Sequence, residues 1–436
     1  MRFFYFLFFI LVFFSLVFCT CAGGGQPLAV MPSSAMIPSA KKRASALQAS
    51  FFGDGMADPA DYPYRTSPFG ALRLWDSGTY WFSLETARGT YDWSTLDAWL
   101  SAVGNKNSQD IMIDMAGTPM WASSDPGDTT CAGSYGGQTG CNDPPSDVDS
   151  GDNMWKEFVT ALVRHSLASA TGHIRYYELW NEPNNSQYWN GTMGQLVTMA
   201  RDAYAIVHSL DPNARVVSPC ATHDASTWLS VYFAAGGAGA QDIIAYHPYP
   251  TTAGADPETT LSWIDNINSL LHSYSLTMPV WATESDWGNI KTLTNDQEEA
   301  WLAKEYILFA YKGLQRNYWY QWDNGSYSCN AAWGNLWYPG YGTCPAGNAY
   351  GQVYSWLVGS TLASPFCSKG ADSTWTCNLV LANGETAQIL WNSTTSESVA
   401  VPSGFTSYRT LDSNASYTIS GGNVLIGNKP IMIIKN

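Results

Sequence analysis

The chain has 436 residues, room for a (β/α)8 barrel of about 250 residues and one smaller domain. A hydrophobic fraction of 45% and an aromatic fraction of 14% support a large core, while only 13% charged residues implies a surface rich in Ser, Thr, Asn and Gly. With 36 acidic against 21 basic residues the net charge is -15, which argues against nucleic acid as a partner and disfavours polyanionic substrates.

The N-terminus carries one positive charge, an apolar run from Phe3 to Phe18 and then small residues, and reads as a secretory signal over 1–22 with cleavage after Ala22. The run is short for a membrane span of about 20 residues. Retention as an anchor, or lipid attachment at Cys21, stays open, and a membrane is a partner only through such an anchor. Residues 23–46, rich in Gly, Ser, Ala and Pro, read as a linker.

From Leu47 onward apolar strand-like runs alternate with helical patterns, which predicts a parallel sheet with crossover helices over 47–355. Eight candidate strands end near Gly53, Asp76, Gly117, Glu182, Cys220, His247, Glu284 and Asp323. Helical patterns separate the later ones, the clearest being MGQLVTMARDAYAIVHSL, stopped by Asp211-Pro212. Glu182 and Glu284 lie 102 positions apart, three βα units of about 34 residues, and so occupy equivalent ends of the fourth and seventh strands. In a (β/α)8 barrel those ends form the active-site face. A carboxylate that closes a buried strand there is placed for chemistry.

After about Ser355 the pattern changes to short alternating runs broken by Asn-Gly, Gly-Gly and Asn-Lys-Pro. The expected fold is therefore α/β, a (β/α)8 TIM barrel with a small C-terminal β-sandwich over 356–436, which a strand from the linker could complete. That domain either covers the barrel or binds carbohydrate.

Seven cysteines follow the signal, and six form close pairs: Cys131 with Cys141, Cys329 with Cys344, Cys367 with Cys377. Each pair brackets a Gly-, Asn- or Ser-containing loop, which suits local disulfides in a secreted or cell-surface protein and leaves Cys220 buried and free. No CxxC or HExxH spacing occurs and the six His are scattered, so neither a metal nor another cofactor is expected.

The strand-end motifs LRLWD, ELWNEPN, AYHPYP and WATESDW, in order over about 47–323, resemble clan A glycoside hydrolases, and family 39 most, whose activities include β-xylosidase and α-L-iduronidase. The resemblance implies a carbohydrate substrate and a retaining mechanism, with Glu182 as acid/base and Glu284 as nucleophile. It also implies that Asn181 hydrogen-bonds the sugar 2-hydroxyl, against the plainer reading of an Asn closing a turn before Pro183. His247 and Tyr249 either position Glu284, bind sugar hydroxyls or are structural. Arg73 either reaches the nucleophile or makes a buried pair with Glu178, itself expected about 13 Å deeper than Glu182 by strand rise and rated structural. Trp75, Trp121, Trp287, Trp319, Trp322 and Trp337 form a pool of stacking candidates, with Trp322 favoured as the platform under the reacting sugar. A sugar-binding protein without catalysis and an endo-acting glycanase are the alternatives; nothing sets the sugar or the oligomeric state.

Overall fold

The computed structural model describes residues 45–62, 67–104, 110–323, 327–330, 332–413 and 415–435. The signal at 1–22 and the linker through residue 44 lie outside the described residues. Eight parallel strands form the barrel: β1 (Phe52–Gly55), β2 (Ala71–Leu74), β3 (Asp110–Asp114), β4 (Ile174–Glu178), β5 (Arg215–Val217), β6 (Ile244–His247), β7 (Val280–Ser285) and β8 (Arg316–Trp319). They pair in sequence order, and β8 returns to β1 with Asn317 opposite Phe52. β5 is interrupted at Ser218-Pro219, where proline supplies no ladder donor. It pairs with β4 before the break and resumes as Ala221–Thr222 beside β6, while a bridge from Val217 to Ile243 closes the ring.

Seven helices follow β2 to β8 in turn: α1 (Ser94–Gly104), α2 (Asn153–Ala168), α3 (Met193–Leu210), α4 (Ser226–Ala234), α5 (Leu261–Ser273), α6 (Asn295–Lys312) and α7 (Pro345–Leu357). Among the described residues no α-helix lies between β1 and β2. α3 starts on a capping box in which Thr192 and Gln195 satisfy each other's backbone donors, and it stops before Pro212 as the sequence predicts. α6 has the same box at Thr294 and Gln297 and ends on Gly313, whose φ of 83° needs no side chain to accommodate it.

The strands end earlier than their apolar runs suggest. β4 stops at Glu178 rather than Glu182, β3 at Asp114 rather than Gly117, and β8 at Trp319 rather than Asp323. Beyond those points the chain stays buried but turns, so hydrophobicity outlasts the strand. The barrel interior is filled by Ala71, Met112, Val217, Cys220, Ile243, Ala245, Trp281 and Tyr318, small residues set against large ones. Gly53 belongs to the same fit, because a Cβ there would stand 2.4 Å from the Tyr318 ring.

The last barrel helix ends at Leu357, and an antiparallel region begins at Thr361. Six of its strands form one sheet, and Glu397–Ala400 pairs with Asn423–Ile426 in a second. Leu47 exchanges two backbone hydrogen bonds with Gly359 and Ser360 at the start of this region. This region covers α6, whose residues 298–310 are all buried. Lys304 donates to Asn428 at 2.9 Å, Lys429 donates to Asp296 and Glu299 at 2.9 Å each, and Trp375 Nε1 donates to Glu258 at 2.6 Å. The three cysteine pairs are bonded as their spacing predicts, and Cys220 is buried and free.

Candidate active site

The motif ELWNEP leaves the sheet through two residues with left-handed backbone, Trp180 (φ 91°) and Glu182 (φ 39°). Non-glycine residues hold such angles only where their surroundings fix them. Trp180 is fixed by burial and by its Nε1 bond to the Tyr188 carbonyl at 2.7 Å. The kink turns Asn181 and Glu182 across the top of the barrel instead of further along the strand axis.

That turn corrects the expected depth of Glu178. The separation of about 13 Å assumes an extended chain, whereas Glu178 and Asn181 both touch one guanidinium. Arg73, from β2, donates through Nε to Glu178 at 2.7 Å, through Nη1 to Glu284 at 2.9 Å, and through Nη2 to Asp114 at 2.8 Å and Asn181 Oδ1 at 2.9 Å. The two alternatives for Arg73 are thus both realised. Burial works against the Arg73 charge, but Glu178, Glu284 and Asp114 hold its pKa well above the ordinary value. Burial, then the neighbouring Glu178, pushes Asp114 well above the carboxylate range.

Glu284, at the end of β7, and Glu182 are joined by His247 of β6. Its Nδ1 lies 2.8 Å from Glu182 Oε1 and 3.0 Å from Glu284 Oε2, and carboxylate oxygens of the two glutamates lie within 4.8 Å of each other. Tyr249 donates its hydroxyl to Glu284 Oε2 at 3.2 Å. Burial would by itself raise the Glu284 pKa; His247 and Arg73, with the His247 and Tyr249 hydrogen bonds, outweigh it, and the carboxyl is held below its ordinary value. Burial also opposes a charge on His247, yet the Cys220 sulfur, Glu284 and the bond to Glu182 hold the imidazole well above the ordinary histidine value. Burial pushes the Cys220 thiol up to about 12.

A recess of about 170 Å³, counted to its open mouth, adjoins Glu284 and is walled by Gly55, Arg73, Trp75, Thr283, Trp319 and Tyr320. Of the stacking candidates, Trp75 and Trp319 line it. Trp322 is fully buried with its backbone bonded to Gly55 and Trp337, and it is not in the wall; Trp121, Trp287 and Trp337 are not there either. Sequence reasoning missed Tyr320, whose hydroxyl bonds Asp76 together with that of Tyr80. The signal was present as the WYQWD run, which offers three aromatics at one strand end.

Two triads bring possible ion ligands within 4.8 Å, Glu178 with Cys220 and His247, and Glu182 with His247 and Glu284. Arg73 holds Glu178 Oε2, and His247 Nδ1 lies within 3.0 Å of a carboxylate oxygen of both Glu182 and Glu284. A third triad, Asp296, Glu299 and Asp412, surrounds the Lys429 ammonium.

No protein-family model matches the chain. A stretch of 103 residues is 29% identical to a β-xylosidase of Caldicellulosiruptor saccharolyticus, covering 22% of this chain and 21% of that protein. A stretch of 116 residues is 27% identical to a β-xylosidase of Geobacillus stearothermophilus, covering 25% and 22%. These matches span about a fifth of the relatives' length. Over the whole fold the chain resembles a family 39 glycoside hydrolase from Bacteroides cellulosilyticus WH2, with TM-score 0.67, 18% identity, and 90% of this chain and 81% of that one covered. A monomeric β-xylosidase from Caulobacter crescentus CB15 superposes with TM-score 0.65 at 14% identity over 90% and 98%. The barrel with its β-sandwich is the architecture of those enzymes.

Proposed function

We propose that the protein is a retaining glycoside hydrolase that removes single glycosyl units, with β-xylosides as its substrate class. The observation that carries this reading is the approach of Glu182 and Glu284 to within 4.8 Å between oxygens. Carboxyl groups about 5 to 5.5 Å apart suit double displacement, whereas inversion needs about 6.5 to 9.5 Å to admit water. The substrate class rests on the similarity to β-xylosidases.

The residues divide the work by environment. Glu284, kept ionised by Arg73 and His247, attacks the anomeric carbon and forms an ester to the sugar. Glu182, at the mouth, gives its proton to the departing oxygen while its Oε1 accepts from His247 Nδ1. Esterification removes the charge of Glu284, and in the second step Glu182 takes a proton from the attacking water. Asn181 has its Oδ1 spent on Arg73; its amide, which has no protein acceptor among the described residues, is left for the sugar 2-hydroxyl. The recess beside Glu284 is assigned to the reacting sugar, and exo action rests on the similarity to β-xylosidases. Trp75 and Tyr320 are the stacking surfaces in this reading.

The three disulfides fit an oxidising compartment, and no helix of the described residues is long and apolar enough to cross a membrane. Secretion through the N-terminal signal completes the proposal. The test is a panel of aryl glycosides followed by proton NMR of the first sugar released. Hydrolysis of the β-xyloside with the β-anomer appearing first supports it. Initial release of the α-anomer, or no hydrolysis of any glycoside, refutes it.

A further inference from the structure

We infer that Trp333 forms the aromatic wall of the site for the departing sugar, and so sets which leaving groups the enzyme accepts; the inference rests on the glycosidase reading above. The recess beside Glu284 is built from β1, β2, β7 and the end of β8. Glu182, His247 and Tyr249 come instead from the ends of β4 and β6. With the reacting ring in the recess, the departing group points out of it, past the rim where Tyr249 stands beside Glu284.

Trp333 stands at that boundary. Its ring lies 5.7 Å from that of Tyr249 and 6.1 Å from that of Tyr320, edge to face with both. It is 36% exposed, whereas Trp319 and Trp322 are sealed. An indole held by its neighbours with part of its surface in solvent offers an apolar face to the C–H surface of a sugar ring.

The wall is held by the groups that build the catalytic face. Asp286, two residues after Glu284, accepts from Gly334 N at 2.7 Å, and Ile290 N donates to Ala332 O at 3.1 Å. Trp319 Nε1 donates to Gly334 O at 2.5 Å. The Cys329–Cys344 bond closes the same loop. Trp333 is thus fixed relative to the nucleophile from both sides, as a selective subsite needs.

The test compares Trp333→Ala and Trp333→Phe on β-1,4-xylobiose and β-D-xylosyl fluoride, because fluoride leaves without a sugar ring. We expect Trp333→Ala to lose about tenfold in kcat/KM on xylobiose, mainly through KM, to stay within about twofold of wild type on the fluoride, and to be largely rescued by Phe. Activity on the fluoride also reports that the variant is folded. Equal losses on both substrates overturn the inference, since Trp333 would then act on Glu284 through Tyr249. An unchanged kcat/KM on both overturns it too. A wild-type protein that cleaves neither refutes the glycosidase reading itself, an outcome separate from a change in the variants.

Discussion

Arg73 Nη1 lies 2.9 Å from Glu284 Oε1, although 211 residues separate them in sequence, and the same guanidinium holds Glu178, Asp114 and Asn181. A lysine has one compact ammonium and cannot serve four acceptors set around a plane. Arg73→Lys should therefore leave buried carboxylates unpaired and cost about 3 to 5 kcal/mol of stability. Urea denaturation measures it; a loss under about 0.5 kcal/mol would show that the cluster is not held by this residue.

Tyr249 predicts a pH effect. Its hydroxyl stabilises the ionised form of Glu284, so Tyr249→Phe should raise the Glu284 pKa and move the acid limb of the kcat/KM profile to higher pH. The linkage has the same sign. The folded-state pKa of Glu284 lies below its unfolded value, so its ionisation adds stability above about pH 4.3 that is lost as pH falls through the folded pKa. A limb that moves to lower pH in the variant contradicts the assignment.

Asn181 gives a prediction specific to one hydroxyl. Asn181→Ala should lower kcat on an aryl β-xyloside by about 10²-fold but change little on the 2-deoxy analogue, which lacks the group that the amide meets. A structural role would depress both substrates equally. Steady-state kinetics on the pair separates the two.

The Cys329–Cys344 bond spans 15 residues, for which the chain-entropy model gives about 3 kcal/mol. The double variant Cys329→Ser, Cys344→Ser should unfold at lower denaturant and bind glycosides more weakly because the loop carrying Trp333 is released. Unchanged stability in the double variant would mean that the bond constrains little.

The barrel was legible because its evidence is local: apolar runs in a repeating unit, helix caps at Thr192 and Thr294, and a stop at Pro212. The spacing of Glu182 and Glu284 was legible for the same reason. What the sequence hid depends on where the chain leaves the sheet. Trp180 reads as one more strand residue, yet its left-handed backbone brings Glu178 to the same Arg73 as Asn181. Trp322 looks like the exposed end of β8, but the strand ends at Trp319 and leaves Trp319 and Tyr320 beside the recess. Trp333 sits in a loop with no period, and its neighbours Tyr249 and Tyr320 reach it only through the fold.

Azide rescue of the two alanine variants on one activated aryl β-xyloside distinguishes Glu182 as acid/base from Glu284 as nucleophile. Glu182→Ala still forms the glycosyl-enzyme because the departing group needs no proton, and azide should speed its turnover and give the β-glycosyl azide. Glu284→Ala has lost the attacking group, and azide entering the vacated face should give the α-glycosyl azide. The anomer is read by NMR. β from Glu182→Ala and α from Glu284→Ala is the predicted result; the opposite pairing would reverse the roles, and full activity in either variant without azide would remove that residue from the mechanism.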